Sequence, residues 1–195
     1  MCFVKLTPIL LACAFTARVP VSVLAERRAI DVDRSRVTVR VFKAGMFSVF
    51  AHDHVVAAPI SRGFMESETK PGIEVHIDPH QMRVMDAGLS MEDRATIQSR
   101  MLSADVLDAD RFPDVWFRST SVETISRDRW LVGGDLTLHG RTHRVEIIAI
   151  YEDGIYRGST TLRQRDFGIT PITLAGGTVK VKDELRIEFD IALAL

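Results

Sequence analysis

The chain has 195 residues, 46% hydrophobic and 26% charged, with a formal net charge of −1. Such a composition belongs to an ordinary folded protein and excludes low-complexity, collagen-like and charge-dominated disordered chains. The near balance of charge also argues against a general nucleic-acid binder, which carries a strong basic excess or stripe.

Residues 1–25 hold no acidic side chain and only Lys5 and Arg18 as bases, around an apolar stretch from Leu6 to Ala17. Val23-Leu24-Ala25 offers small residues of the kind a signal peptidase cleaves after, so a removable export signal over 1–25 is expected, with one domain over 26–195. Pro8, Arg18 and Pro20 interrupt this signal, and the stretch lacks the roughly 20 continuous apolar residues of a membrane anchor. Two rival readings are cleavage after Ala14 and lipid attachment at Cys13, where Leu10-Leu11-Ala12-Cys13 forms only a partial lipobox. Removal of residues 1–25 leaves 23 basic and 26 acidic residues, a charge of −3, and takes away both cysteines, Cys2 and Cys13. The remaining domain then has no disulfide, no thiolate nucleophile and no cysteine metal site.

From residue 36 onward the chain alternates apolar and polar residues with period two, the mark of a half-buried strand. Val37, Val39 and Val41 alternate with Arg36, Thr38 and Arg40, and Ile73, Val75 and Ile77 with Glu74, His76 and Asp78. Leu185, Ile187, Phe189 and Ile191 do the same near the end, and less regular runs occur near 54–65, 114–122, 130–138, 144–151 and 156–163. Eight such runs predict an all-β antiparallel sheet with one apolar face, closed into a barrel or folded into a sandwich. One segment differs. Ser90-Met91-Glu92-Asp93 reads as a capping box, and Ile97, Met101 and Ala104 recur at helical spacing, which predicts one short helix near 91–104.

Four blocks in the second half carry a resemblance: Leu102–Thr120 (LSADVLDADRFPDVWFRST), Gly133–Val145 (GGDLTLHGRTHRV), Arg165–Ile169 (RDFGI) and Val181–Asp190 (VKDELRIEFD). In this order and spacing the chain resembles the YceI-like family, lipocalin-like proteins of the bacterial periplasm known for binding polyisoprenoids. The resemblance covers nearly all of residues 29–195. It implies an eight-stranded lipocalin-like barrel, a periplasmic setting, and non-covalent binding of a long apolar lipid without a cofactor or catalysis. The N-terminal half departs from the family pattern. Lys43-Ala44-Gly45 stands where a His-x-Gly element is usual, and the run Met46–His54 follows it.

By the alternation, Val39, Val41, Val75, Ile77, Phe117, Leu136, Ile147, Ile187 and Phe189 are the candidates for the wall of a lumen. The competing reading is that they pack a filled core. Arg163 and Arg165, two residues apart near the late turn, are candidates to meet an anionic head group.

His52-Asp53-His54 places two imidazoles on one face of a strand, the start of a metal site or of a polar contact to a ligand's head. His76, His80, His139 and His143 offer no partner at a fixed spacing. Asp166-Phe167-Gly168 matches a kinase tripeptide without the glycine-rich loop or catalytic loop that kinases need, so kinase activity is rejected. Asp105, Asp108 and Asp110 lack the glycine and terminal glutamate of a calcium loop. The hydrolase pattern Gly-x-Ser-x-Gly is absent. The expected function is a lipid carrier; a histidine-metal protein, and an accessory partner in transient contact with an inner-membrane quinone or cytochrome system, are the alternatives. Oligomeric state, a dimer included, is left open.

Overall fold

A computed structural model describes residues 27–44, 53–66, 71–174 and 179–194. Among them the chain forms β1 (Arg27–Ala44), β2 (His54–Ala57), β3 (Ile60–Glu66), β4 (Gly72–Ile77), β5 (Arg83–Val84), α1 (Met91–Leu102), β6 (Val115–Ser126), β7 (Arg129–Leu138), β8 (Arg141–Glu152), β9 (Ile155–Arg163), β10 (Thr173–Leu174) and β11 (Val179–Leu193). The expected signal segment, Cys13 within it, and the run from Met46 to His52 lie outside the described residues.

The strands are antiparallel neighbours in the order β11, β9, β8, β7, β6, β4, β3, β1, and β1 pairs back onto β11. This closes an eight-stranded barrel and removes the exposed edges that an open sheet would present. The barrel expected from the resemblance is therefore the observed fold, and a sandwich is excluded. Turn chemistry sets the meander. Asp153 and Gly154 both take positive φ, 52° and 81°, and link β8 to β9; His139 and Gly140, at 52° and 70°, link β7 to β8. Two consecutive left-handed residues match the right-handed twist of the strands they join.

The closing strand β1 is bent. Its register against β11 shifts between Asp31 and Arg36, and buried Ser35 fills the gap in the ladder: its hydroxyl accepts from the Ala192 amide (3.0 Å) and donates to the Ala192 carbonyl (3.4 Å). Across this bulge the other edge of β1 changes partner, from β3 at Arg27–Ala29 to β2 at Thr38–Val41. β2 and β3 act as one strand broken at Ala58-Pro59, where the Ala58 amide donates to the Val37 carbonyl (2.9 Å). The freed edge of β2 takes the short strand β5.

Helix α1 begins as the sequence predicts: Ser90 caps it, accepting from the Asp93 amide (3.0 Å) and donating to the Asp93 carboxylate (2.7 Å). It buries no residue completely and rests Ile97, Met101 and Leu102 on the core. Gln98 fastens it, its amide oxygen accepting from the Val84 amide (2.9 Å) and its amide nitrogen donating to the Met82 carbonyl (2.8 Å).

Candidate functional site

Two apolar clusters sit inside the barrel. One joins Ile30, Ile60, Val75 and Ile191, all buried, with Ile73, Tyr156 and Leu193 against them. The other joins Val56, Ala58, Met82, Val84, Leu107, Leu162, Phe167 and Ile169, so β5, the segment after α1 and the turn at Gln164–Phe167 cover that end. Val37 and Ile77 touch both clusters.

The four family blocks meet at the second end. The Phe112 ring stands edge-on to His139, with centroids 4.8 Å apart, and His139 Nδ1 lies 3.2 Å from the Phe167 carbonyl. His143 meets the Phe167 ring at 5.3 Å. Gln164 donates to the Lys182 carbonyl (2.8 Å), and the Arg165 amide donates to Asp183 (3.0 Å). Gly168, at φ 74°, lies against the Arg141 guanidinium, where a side chain would stand 2.6 Å from Arg141 Nε. The residues that carry the resemblance thus form one packed corner of the fold.

Of the nine apolar lumen candidates, Val75 belongs to the first cluster, Ile77 and Phe189 pack against it, and Val39, Ile77, Leu136 and Ile187 pack against the second. Val75, Phe117 and Leu136 are direct neighbours across β4, β6 and β7, and Val39 pairs with Ile187 across β1 and β11. Phe189 pairs with Val37 and Gly158, Ile147 with Val132, Ile77 with Ile60, and Val41 with His54 and Leu185. This register puts all nine on one face of the sheet. Only Val75 is fully buried, at 8%; the other eight are half-buried despite that apolar surroundings. Polar side chains share the same face: His143 stands opposite Leu136, and Thr160 opposite Ile187.

The outer face is charged. Arg40 and Arg186 pair with Glu188 (2.8 and 3.1 Å), Arg157 with Asp190 (3.4 Å), and Arg118 with Glu74 (3.7 Å). A membrane-spanning barrel has the reverse distribution, with an apolar band outside.

A cleft of about 600 Å³ opens in the wall between β8 and β9. Their pairing runs only over Ile148–Glu152 with Ile155–Ser159, and beyond it the chain turns away at Gln164–Phe167. His143, Val145, Thr160, Leu162, Arg163 and Phe167 are among its lining. Arg163 faces Glu184 at 3.7 Å, whereas Arg165 is exposed and outside the lining.

His54 lies on the same strand face as Val56. Its Nδ1 is hydrogen-bonded to Asp86 Oδ2 (2.5 Å), and Asp86 Oδ1 accepts from the Val55 amide (2.7 Å). The Asp86 side chain is 7% exposed and the His54 side chain 26%. Arg94 of α1 donates to the Asp86 carbonyl (2.7 Å). Asp86 went unnoticed in the sequence because nothing in its spacing ties it to a residue 32 positions earlier. His52 lies outside the described residues. Among those described, no group of three His, Cys, Asp or Glu is placed to hold a metal ion.

A YceI-like domain model matches residues 29–193. Curated relatives include UPF0312 proteins of Pseudomonas putida, 36% identical over 87 residues, and of Vibrio cholerae, 33% identical over 96 residues. These matches cover 40% and 44% of this chain and 45% and 49% of the relatives, so the chain spans about half the length of the curated relatives it matches. Among solved structures, Burkholderia cenocepacia BcnA superposes with a TM-score of 0.64 at 17% identity, covering 85% of this chain and 99% of that one. A polyisoprenoid-binding domain from Saccharophagus degradans superposes at 0.55 and 10% identity, covering 86% and 97%. With a family model that spans the whole barrel and solved structures that share its architecture, this chain belongs to the YceI-like family.

Proposed function

We propose that the protein is a non-catalytic carrier that holds the tail of a long apolar lipid, of the polyisoprenoid or acyl-chain class, in the barrel lumen. The observation that carries this is the half-burial of eight inward-facing apolar residues inside a closed barrel with a charged exterior. A filled core would take such side chains fully out of water. Family membership and the polyisoprenoid-binding neighbour support the same reading.

Each buried methylene contributes roughly 0.8 kcal/mol. About ten of them offer roughly 8 kcal/mol, enough to offset several kcal/mol of association cost without a covalent bond or cofactor. The tail would lie along Val39, Val41, Ile77, Phe117, Leu136, Ile147, Ile187 and Phe189, above a floor that includes Val75. Arg163, in the lining of the side cleft, would meet an anionic group there. The exported, periplasmic setting belongs to this proposal and rests on the apolar stretch Leu6–Ala17 and on Val23-Leu24-Ala25. So does transient contact with an inner-membrane protein that supplies or receives the lipid.

Native mass spectrometry of protein purified without detergent tests the carrier role. An added mass that passes into organic solvent is expected. A bare polypeptide that also refuses an offered long-chain alcohol would overturn the proposal.

A further inference from the structure

We infer that His54, oriented by Asp86, is the head-group site of the lumen and that it selects a lipid carrying a hydroxyl. The inference rests on the carrier reading and names the chemistry of its polar end.

His54 opens β2, opposite Val41 of β1 and on the face it shares with core residue Val56. It therefore stands on the inner wall at the end where β1 stops, at Ala44. The apolar wall begins directly beside it, with Val41 and then Val39. An ionised carboxylate accepts hydrogen bonds and donates none. Asp86 spends one oxygen on the Val55 amide and the other on His54 Nδ1. With Nδ1–H donating to the carboxylate, the neutral tautomer leaves a lone pair on Nε2. Among the described residues no partner takes that lone pair, while the ring remains 26% exposed.

A fixed acceptor beside an apolar wall discriminates by donor capacity. An alcohol or phenol can give Nε2 a proton to share. An ether, aldehyde or ketone presents only lone pairs and gains nothing there. A site built to hydrogen-bond one group leaves its polar atom unpaired when the analogue lacks that group. Because Asp86 is buried and itself fixed by the Val55 amide, the imidazole cannot turn over without breaking a buried hydrogen bond.

The test uses two probes with the same tail, farnesol and farnesyl methyl ether, titrated into delipidated protein. The wild type is expected to bind the alcohol about tenfold more tightly than the ether. His54→Phe should leave ether binding in place and bring the alcohol down to the ether level. In the wild type, the ¹⁵N resonance of His54 Nε2 should move with farnesol and stay still with the ether, a readout that needs no variant. Equal affinity for the two probes in the wild type would overturn the head-group site and leave the carrier standing. An alcohol preference that survives in folded His54→Phe, or a still Nε2 resonance under farnesol, would overturn it as well. Binding of neither probe would bring down the carrier reading and this site together.

Discussion

Phe189 occupies the space over Gly158: a Cβ at that glycine would stand 2.5 Å from Cζ of the ring. Phe117 has the same relation to Gly134, with Cε2 2.5 Å from the position of a Cβ, and Ile30 to Gly63, with Cδ1 2.6 Å away. These three inward side chains lie against bare stretches of neighbouring backbone. The glycines thus give these bulky residues room against the wall.

The first prediction follows from that arrangement. Gly158→Ala should push the Phe189 ring off the wall and cost about 1–3 kcal/mol of stability, as overpacking of a tight site does. Urea unfolding measures the loss. Retained stability together with undiminished uptake of a long-chain alcohol would show that the ring has room to spare.

A charge placed at two heights of the barrel should have two different effects. Val75 is fully buried in its cluster, so Val75→Arg strands a charge without a partner and unfolds the protein or lowers its stability by several kcal/mol. Ile147 is half-buried and belongs to neither cluster. Ile147→Arg should keep the circular dichroism of the fold while lipid uptake falls at least about tenfold, the guanidinium extending into the lumen. Equal behaviour of the two variants would contradict a hollow segment next to a packed one.

His80 is a pH-sensitive clasp on the surface. Its Nε2 meets Asp110 and its Nδ1 meets Asp78, both at 3.1 Å, and these carboxylates, Asp110 first, hold the imidazole above the ordinary value of 6.5. The folded protein therefore keeps the proton to higher pH than the unfolded chain. The clasp contributes fully below the unfolded pKa and is lost as pH rises through the folded one. Titration followed by NMR should give a midpoint above 6.5 for His80, and Asp110→Asn should lower it. An unchanged midpoint in Asp110→Asn would remove that carboxylate as the cause.

Gln98 ties α1 to the strand beside β2 through two hydrogen bonds. Gln98→Ala leaves the Val84 amide and the Met82 carbonyl unpaired, at a cost of about 1–3 kcal/mol. The helix should lose hydrogen-exchange protection before the barrel strands do. Loss spread evenly over the barrel would mean that α1 is no separate unit.

The strands were legible in the sequence because alternation is local: seven of the eight runs each fall on one barrel strand, and the run near 54–65 spans β2, the break at Ala58-Pro59 and β3. The closure of β1 onto β11 was not, since it joins segments some 150 residues apart that carry no mark of each other. Ser35 breaks the alternation of β1 because its hydroxyl substitutes for backbone in the ladder. The lumen wall was legible as a face. The close approach of Phe117 and Phe189 to Gly134 and Gly158 was not, since it appears only once the rings opposite are placed. His54 stood out as a histidine, while its partner Asp86 reaches it only because β5 pairs with β2.

The most direct test of a hollow, tail-binding barrel is the affinity of delipidated protein for straight-chain alcohols of increasing length, measured by calorimetry. The account predicts a gain of roughly 0.8 kcal/mol for each added methylene until the lumen is full, then a plateau. Affinity that is weak and does not change with chain length would contradict it, and would mean that the half-buried inner wall encloses no room for a tail.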